Sequence, residues 1–345
     1  MLIKLLKSVL PGLVKRICAA KKDSKNNLAI QKASLNILLK LLVSLKDDDL
    51  KVELSNILSV IIENCKSDPK LCRETLSTLL RQLEIISNAD CRLKFAKSLK
   101  SMKILNKSNS NKAASRIVKY FTVLNEKAPE DLGLLLNLIE CFAEILAAFP
   151  SAAGHACSLI IQDYASVVKK FEEIQSEDII KQLYSWECIA KFWLAAHLIA
   201  KNHKNHQFKP LTIPLINLIS QSASATAHER YFPFKFQIVK ILNHIQSQTK
   251  LFIPTLAILI SIFHIYNFNS EPQKKSDPAL KLNFSILIKV SQNHTKSMAF
   301  KRELIEQFCQ NAIEHLKIWQ NSLAFPELCL PLTLWVIIFS FMIDF

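Results

Sequence analysis

Glycine is scarce in this sequence, with 3 residues in 345, and aromatic residues make up only 8% of the chain. Tight turns between strands depend on residues that tolerate positive φ, and glycine is the usual one. The scarcity therefore argues against a large β-sheet protein. Leu, Ile, Ala and Lys are abundant instead, which is typical of an all-α protein.

Patterns that carry catalysis or hold cofactors are also missing. The glycines are too far apart to form a phosphate-binding loop, and the sequence contains neither Gly-x-Ser-x-Gly nor His-Glu-x-x-His. The 9 cysteines form no Cys-x-x-Cys pair, which favours a reducing compartment. His197, His203 and His206 lie near one predicted helix end without further metal ligands, so a solvated helix end is expected there. These absences predict a protein that is not an enzyme and needs no cofactor, metal or small-molecule substrate.

Acidic residues are outnumbered, since 44 Lys and Arg oppose 29 Asp and Glu for a net charge of +15. Such an excess favours polyanionic partners such as RNA. One stretch without any acid carries nine basic residues and is a candidate RNA contact, with a merely solvated surface as the alternative. Its basic residues are Arg92, Lys94, Lys97, Lys100, Lys103, Lys107, Lys112, Arg116 and Lys119.

Amphipathic segments of about 15 to 20 residues follow one another with short polar breaks. Helix starts are marked by Asp68-Pro69, Pro150-Ser151 and Ser176-Glu177-Asp178, and loops are predicted near residues 106–112 and 269–277. We count about fourteen helices, or seven antiparallel pairs of the size of a HEAT or armadillo unit. The prediction is a HEAT/armadillo-like α-solenoid forming a single domain over 1–345, with a compact helical bundle as the alternative.

Two strongly apolar stretches raise the question of a membrane. Residues 251–266 are interrupted by Pro254 and His264, so an interior helix is expected. Residues 332–345 form an atypical apolar tail, but fourteen residues span only about 21 Å as a helix, short of a bilayer core of about 30 Å. We expect this tail to pack on the last repeat, with a terminus altered by truncation or gene-model error as the alternative.

The stretch from 230 to 265 is the most informative part of the chain. It predicts two helices joined at Phe252-Ile253-Pro254, with Pro233 in the first turn of one and Pro254 opening the other. Phe236 projects from the polar side of the first helix, so another part of the protein, or a partner, must cover it. Lys235 and Phe236 are therefore candidate partner contacts, with burial in the core as the alternative. The residues of the predicted core face are Phe234, Ile238, Ile241, Leu242 and Ile245.

Six blocks follow one another along the chain. They are Leu183-Tyr184-Ser185-Trp186, Pro210-Leu211 with Pro214-Leu215, Tyr231-Phe232-Pro233 with Phe236, Phe252-Ile253-Pro254, Leu282-Asn283-Phe284 and Ala324-Phe325-Pro326-Glu327-Leu328. In this order they resemble the nucleolar complex protein 2 family of ribosome-assembly factors. In that family a Tyr-(Phe/Tyr)-Pro-Leu-Arg-Phe block precedes an amphipathic helix, and Phe-Ile-Pro precedes a Leu-rich helix. The resemblance covers about residues 184–331, residues 1–170 match only in general helical character, and Ser185, Phe234 and Lys235 depart from the pattern. The motif residues are Tyr184, Trp186, Pro210, Pro214, Tyr231, Phe232, Pro233, Phe236, Phe252, Ile253, Pro254, Phe325, Pro326 and Glu327.

The resemblance implies a non-catalytic scaffold of the nucleus and nucleolus that acts in maturation and intranuclear transport of pre-60S particles. It further implies heterodimers with sister nucleolar complex proteins, themselves helical-repeat chains, and contact with pre-rRNA. A nuclear transport or trafficking adaptor is the alternative, although the positive charge argues against it, because adaptors for basic cargo are commonly acidic. A membrane-anchored helical protein is a third option and rests only on the C-terminal run.

Overall fold

A computed structural model describes residues 132–174, 176–225, 228–268 and 282–343, together with scattered positions between 40 and 121, of which 88–101 is the longest run. Within these ranges all regular structure is helical and no strand occurs. The all-α prediction is confirmed for this part of the chain. The predicted loops and the helix start at Asp68-Pro69 lie largely outside the described residues. The predicted number of helices is therefore not tested.

The chain divides into two compact units. Unit 1 comprises Met1–Tyr120 and Pro129–Ala156, and unit 2 comprises Phe121–Ala128 and Cys157–Phe345. The single domain expected over 1–345 stays a prediction. In unit 1, α1 (Ala89–Ser101) packs against α2 (Leu132–Ala147). Asn88 caps α1, because its side-chain oxygen accepts hydrogen bonds from the backbone N–H groups of Asp90 and Cys91.

The described helices that follow α2 form unit 2. They are α3 (Pro150–Glu173), α4 (Glu177–Leu183), α5 (Trp186–Asn202), α6 (Lys209–Ser224), α7 (Phe232–Thr249), α8 (Thr255–Ile265), α9 (Met298–Trp319) and α10 (Phe325–Ile343). The first of them, α3, begins in unit 1. The starts predicted at Pro150 and Ser176 are confirmed. Pro233 lies in the first turn of α7 as expected, whereas Pro254 is the N-cap of α8 and lies one position earlier than predicted.

Ser185 explains one departure from the motif pattern. It is the N-cap of α5, and its hydroxyl accepts a hydrogen bond of 3.2 Å from the backbone N–H of Cys188. The family pattern that this block resembles has Asn at the position of Ser185. Asn is an equally good N-cap residue, since its side-chain oxygen satisfies the same backbone donor. The exchange therefore keeps the local structure.

Helix α7 lies at the centre of unit 2 and contacts α5, α6, α8 and α9. Its predicted core face is fully buried. The opposite side is buried as well, because Phe232, Phe236 and Val239 join the cluster formed with α8, α9 and the non-helical segment 282–291. Two backbone hydrogen bonds tie that segment to α7 and to the turn before it. Phe234 N–H of α7 donates to the carbonyl of Ile288, and Val290 N–H donates to the carbonyl of Arg230 in the preceding turn.

Helix α10 continues the chain after a turn at residues 320–324, and Leu328 and Leu332 pack against the unit 2 core. The prediction that the tail packs on preceding helices is tested only up to residue 334, since later side chains lie outside the described residues. Among the helices that the structure describes, none is long and apolar enough to cross a membrane.

Candidate functional site

The motif residues divide between the core of unit 2 and its surface. Aromatic members from separate blocks meet in the core, where the rings of Tyr184 and Tyr231 stack with centroids 3.9 Å apart. The buried members are Tyr184, Trp186, Tyr231, Phe232, Pro233, Phe236 and Ile253. The exposed members are Pro210, Pro214, Phe252, Pro254, Pro326 and Glu327, and Phe325 is half-buried. Burial explains the first set, so a surface that binds a partner protein must be sought among the second.

Lys235 and Phe236 are wrong as candidate partner contacts, because both lie inside unit 2. Phe236 is 0% exposed and packs on the ring of Phe284, which lies in the segment 282–291. Lys235 is 2% exposed, and its ammonium group donates a hydrogen bond of 2.9 Å to the Ser261 hydroxyl on α8. Burial lowers the pKa of Lys235 to about 8. The alternative that Phe236 belongs to the core is correct.

A buried polar network fixes the linker between α7 and α8. The side-chain oxygen of Gln246 accepts hydrogen bonds from the backbone N–H of Ile253, at 3.1 Å, and from the indole N–H of Trp319, at 3.0 Å. The Thr255 hydroxyl lies 2.7 Å from Nδ1 of His315, whose pKa is lowered to about 4 by burial. These bonds satisfy groups that would be costly to bury alone, and they hold the linker in one conformation.

The network leaves Phe252 at the surface. Phe252 is 57% exposed and touches the protein through edge contacts with His315 and Trp319, at centroid distances of 6.0 and 5.6 Å. Helix α7 ends at Thr249, and its C-cap residue Lys250, two residues before Phe252, adopts the left-handed conformation with φ 58°. The reversal at Lys250 and the bonded Ile253 thus present Phe252 outward from a rigid support.

Phe252 forms one wall of an apolar cleft of about 390 Å³, which we name the Phe252 cleft. It is lined by Phe252, Trp319, Ser322, Ala324, Glu327 and Leu328. The cleft unites the Phe-Ile-Pro block with the Ala-Phe-Pro-Glu-Leu block. Leu323, in the same turn as its neighbour Ala324, is fully exposed. A preformed apolar cleft with one carboxylate among its lining residues can receive apolar side chains and pair with a basic group.

Sequence reasoning missed Trp319 and Leu323, and it named Phe252 only as a motif residue. Trp319 is the last residue of α9, and its partner Gln246 belongs to a helix whose pairing with α9 no local pattern reveals. Leu323 carried a usable signal, since it is an apolar residue in the otherwise polar run that follows α9. An exposed leucine in a turn is a weak sign alone, and it gains meaning only beside the cleft.

The nine basic residues of the candidate RNA contact do not form one exposed set. Arg92 is 1% exposed, and its guanidinium donates to the carbonyl of Leu83 at 3.1 Å, to that of Ile86, and to the Asn137 side chain. Arg92 is therefore a structural residue of unit 1 and is removed from the candidate contacts. Lys94 and Lys119 are exposed. The side chains of Lys97, Lys100, Lys103, Lys107, Lys112 and Arg116 lie outside the described residues.

The predicted histidine grouping at the end of α5 is not assembled as a metal site. His197 turns towards Trp193 and His244, with its ring 4.4 Å from that of His244. Within the part of the chain that the structure describes, no group of three or more His, Cys, Asp or Glu side chains is placed to hold a metal ion.

Comparison with known proteins adds family information to this geometry. A family model described as the Noc2p family matches residues 115–337. The nucleolar complex-associated protein 2 of Arabidopsis thaliana is 26% identical over 188 residues, which are 54% of this chain and 24% of that protein. The nucleolar complex protein 2 of Drosophila melanogaster is 24% identical over 196 residues, which are 56% of this chain and 25% of that protein. The chain thus matches about a quarter of the length of these curated relatives.

Proposed function

Because the chain belongs to the Noc2p family, we propose that it is a non-catalytic helical-repeat scaffold of ribosome biogenesis, located in the nucleus and nucleolus. Its task is the maturation and intranuclear transport of pre-60S particles. It performs this task by binding a sister nucleolar complex protein on one surface and the pre-ribosome on another. The family match favours this role over a transport or trafficking adaptor.

The order of helix contacts in unit 2 supports a repeat architecture. Each of α5, α6, α7 and α8 contacts the next helix along the chain, and α5 also contacts α7, α6 contacts α8, and α7 contacts α9. Antiparallel hairpins that stack on their neighbours produce this alternation, with odd helices in one layer and even helices in the other. We propose that unit 2 is a short HEAT/armadillo-like stack on this basis.

The Phe252 cleft is the observation that carries the partner-binding part of the proposal. Its lining is apolar apart from Ser322 and Glu327, and four of its six lining residues come from motif blocks, namely Phe252, Ala324, Glu327 and Leu328. The occupant we propose is an amphipathic helix of a sister nucleolar complex protein. Its apolar side chains fill the cleft beside Phe252 and Leu323, and a Lys or Arg pairs with the exposed carboxylate of Glu327.

Quantitative co-purification tests this surface. The double variant Phe252→Ala with Leu323→Ala should reduce recovery of a sister nucleolar complex protein with the tagged chain by about 30-fold or more, as expected for loss of a hot spot worth about 2 kcal/mol. Ile213→Ala is the matched control, because Ile213 is 54% exposed and lies on α6 outside the cleft. Equal recovery with the double variant and the control would refute the cleft as the binding surface.

Contact with pre-rRNA through the basic stretch remains part of the proposal for the eight residues other than Arg92. Exposure of Lys94 and Lys119 supports it. Lysine contacts to phosphates release counterions, so binding should weaken steeply with salt and depend little on base sequence. Exchange of Lys112, Arg116 and Lys119 for Glu should flatten the salt dependence of binding to structured ribosomal RNA. An unchanged slope in a folded triple variant would leave the stretch as a solvated surface.

A further inference from the structure

A second and larger recess in unit 2 is separate from the Phe252 cleft. It has a volume of about 780 Å³ and lies among α4, the end of α3, the turn at Glu229–Tyr231 and the turn at Gln292–His294. We name it the Tyr231 cavity. Its volume is within the range of about 300 to 1,000 Å³ that small-molecule and cofactor pockets occupy. None of its lining residues lines the Phe252 cleft.

One wall of the Tyr231 cavity is aromatic and rigid. Tyr184 and Tyr231 stack at an interplanar angle of 12°, and the edges of Phe171 and Phe234 pack against Tyr184 at 5.9 and 5.0 Å. Phe234 is itself anchored through its backbone N–H to the carbonyl of Ile288. The tyrosine pair is therefore held in place before any ligand arrives, which lowers the entropic cost of binding.

Arg230 supplies a cation to this cavity. Its guanidinium carbon lies 5.2 Å from the centre of the Tyr231 ring, so the side chain is oriented by a cation–π contact. The Nε atom of Arg230 is buried, and among the described residues it has no hydrogen-bond partner. A buried donor without a partner is costly, and an anion in the cavity would pair with the other N–H groups of the same guanidinium.

The remaining lining residues suit a ligand that combines an anion with a hydrogen-bonding edge. His228 and Lys296 add an imidazole and an ammonium group, and both residues are exposed. Glu229 is the one carboxylate among the lining residues, and burial raises its pKa. The side chains of Gln292 and Asn293 offer amide donors and acceptors.

We propose that the Tyr231 cavity binds one nucleotide of an unpaired RNA strand, with its phosphate at Arg230 and Lys296 and its base beside the tyrosine pair and the two amides. A nucleotide matches the cavity because it carries a phosphate for the two cations, a hydrogen-bonding edge for the amides and a flat ring that can lie beside the tyrosine pair, whose stacked faces are occupied by each other and by Arg230. An acidic peptide would use the cations but has no flat group for the aromatic wall. The proposal rests on the proposed function in one respect, since the pre-ribosome is the source of the RNA.

Fluorescence anisotropy with a labelled single-stranded RNA of twelve nucleotides, measured across a potassium chloride series, tests the proposal on the full chain. Arg230→Gln should weaken binding about tenfold, as expected for a lost charge-assisted hydrogen bond. Lys296→Gln should reduce the salt slope by about 0.7, the value for one phosphate contact on a single strand. Lys317→Gln is the matched control, because it removes the same charge from an exposed position on α9 outside the cavity.

Three results would overturn the proposal. Lys317→Gln could weaken binding as much as Lys296→Gln, or an RNA hairpin of the same length could lose affinity equally, and either result would indicate diffuse charge attraction. A poly-glutamate competitor could displace the RNA, and Arg230→Gln could weaken the binding of poly-glutamate as much as the binding of RNA. This result would indicate a site for an acidic peptide. Photo-crosslinking with 4-thiouridine should map to the peptides that contain Tyr184 or Tyr231, and crosslinks confined to other peptides would also contradict it.

Thermal melting of each variant separates lost binding from lost folding. If Arg230→Gln lowers stability, Lys296→Gln still tests the cavity, because Lys296 is exposed and its exchange should leave the melt unchanged. Recovery of the sister nucleolar complex protein should be normal in both variants. If the cavity variants bind RNA normally and still recover the sister protein, the nucleotide site is refuted and the proposed function is not. Recovery of the sister protein with the Phe252 and Leu323 double variant tests the proposed function independently.

Discussion

Phe236 and Phe252 provide a matched pair for separating stability from binding. Both are phenylalanines of the motif, and Phe→Ala removes the same atoms at each position. Phe236 is 0% exposed and lies in the cluster with Phe284 and Phe300, whereas Phe252 is 57% exposed at the cleft. The same substitution should therefore have opposite consequences at the two positions.

The buried position should lose stability by the cost of a large cavity. Phe→Ala in a packed core lowers the free energy of unfolding by about 3 to 5 kcal/mol, because the side chain's transfer free energy is lost and the surroundings collapse only partly. At about 2 to 4 °C per kcal/mol, Phe236→Ala should lower Tm by about 6 to 20 °C. Phe252→Ala removes a mostly hydrated ring, so its expected loss is about 1 kcal/mol or less.

Circular dichroism or calorimetric melts measure the first effect, and co-purification of the sister nucleolar complex protein measures the second. We expect Phe236→Ala to lower Tm while the folded fraction at low temperature still binds, and Phe252→Ala to melt normally with reduced recovery. A normal Tm for Phe236→Ala would contradict the burial of Phe236 against α8, α9 and the segment 282–291. Equal loss of stability in both variants would contradict the exposure of Phe252.

Three further predictions concern buried or capping polar groups. The folded pKa of Lys235, about 8, lies below the unfolded value of about 10.4. The unfolded chain therefore binds more protons between these pH values, and stability should rise with pH there. Lys235→Met should abolish this rise and add about 2 kcal/mol at pH 7, measured by urea unfolding. Arg92→Met should lower the unfolding free energy by about 3 kcal/mol without changing the salt slope of RNA binding, and a changed slope would return Arg92 to the RNA contacts. Ser185→Ala should cost about 1 kcal/mol and Ser185→Asn almost nothing, and equal melts of the two variants would refute the N-cap role.

The composition and local patterns of the sequence were sufficient to predict the all-α class and several of the helix starts. Pro150, Ser176 and Pro233 mark helix starts because capping and the missing proline N–H act within one turn of the chain. The core face of α7 was likewise predictable, since burial of one face repeats every 3.6 residues. The ordered motif blocks also predicted the family, which the match over residues 115–337 confirms.

Only the tertiary structure decided what covers each side of α7 and which motif residues reach solvent. Phe236 departed from the helical pattern and, with Lys235 beside it, resembled a surface contact, but the non-helical segment 282–291 covers Phe236 and α8 covers Lys235. Arg92 resembled its basic neighbours, yet carbonyls of the preceding segment hold it inside unit 1. Each outcome depends on contacts between residues far apart in sequence, and helical periodicity specifies a residue's face without specifying which other part of the chain lies against it.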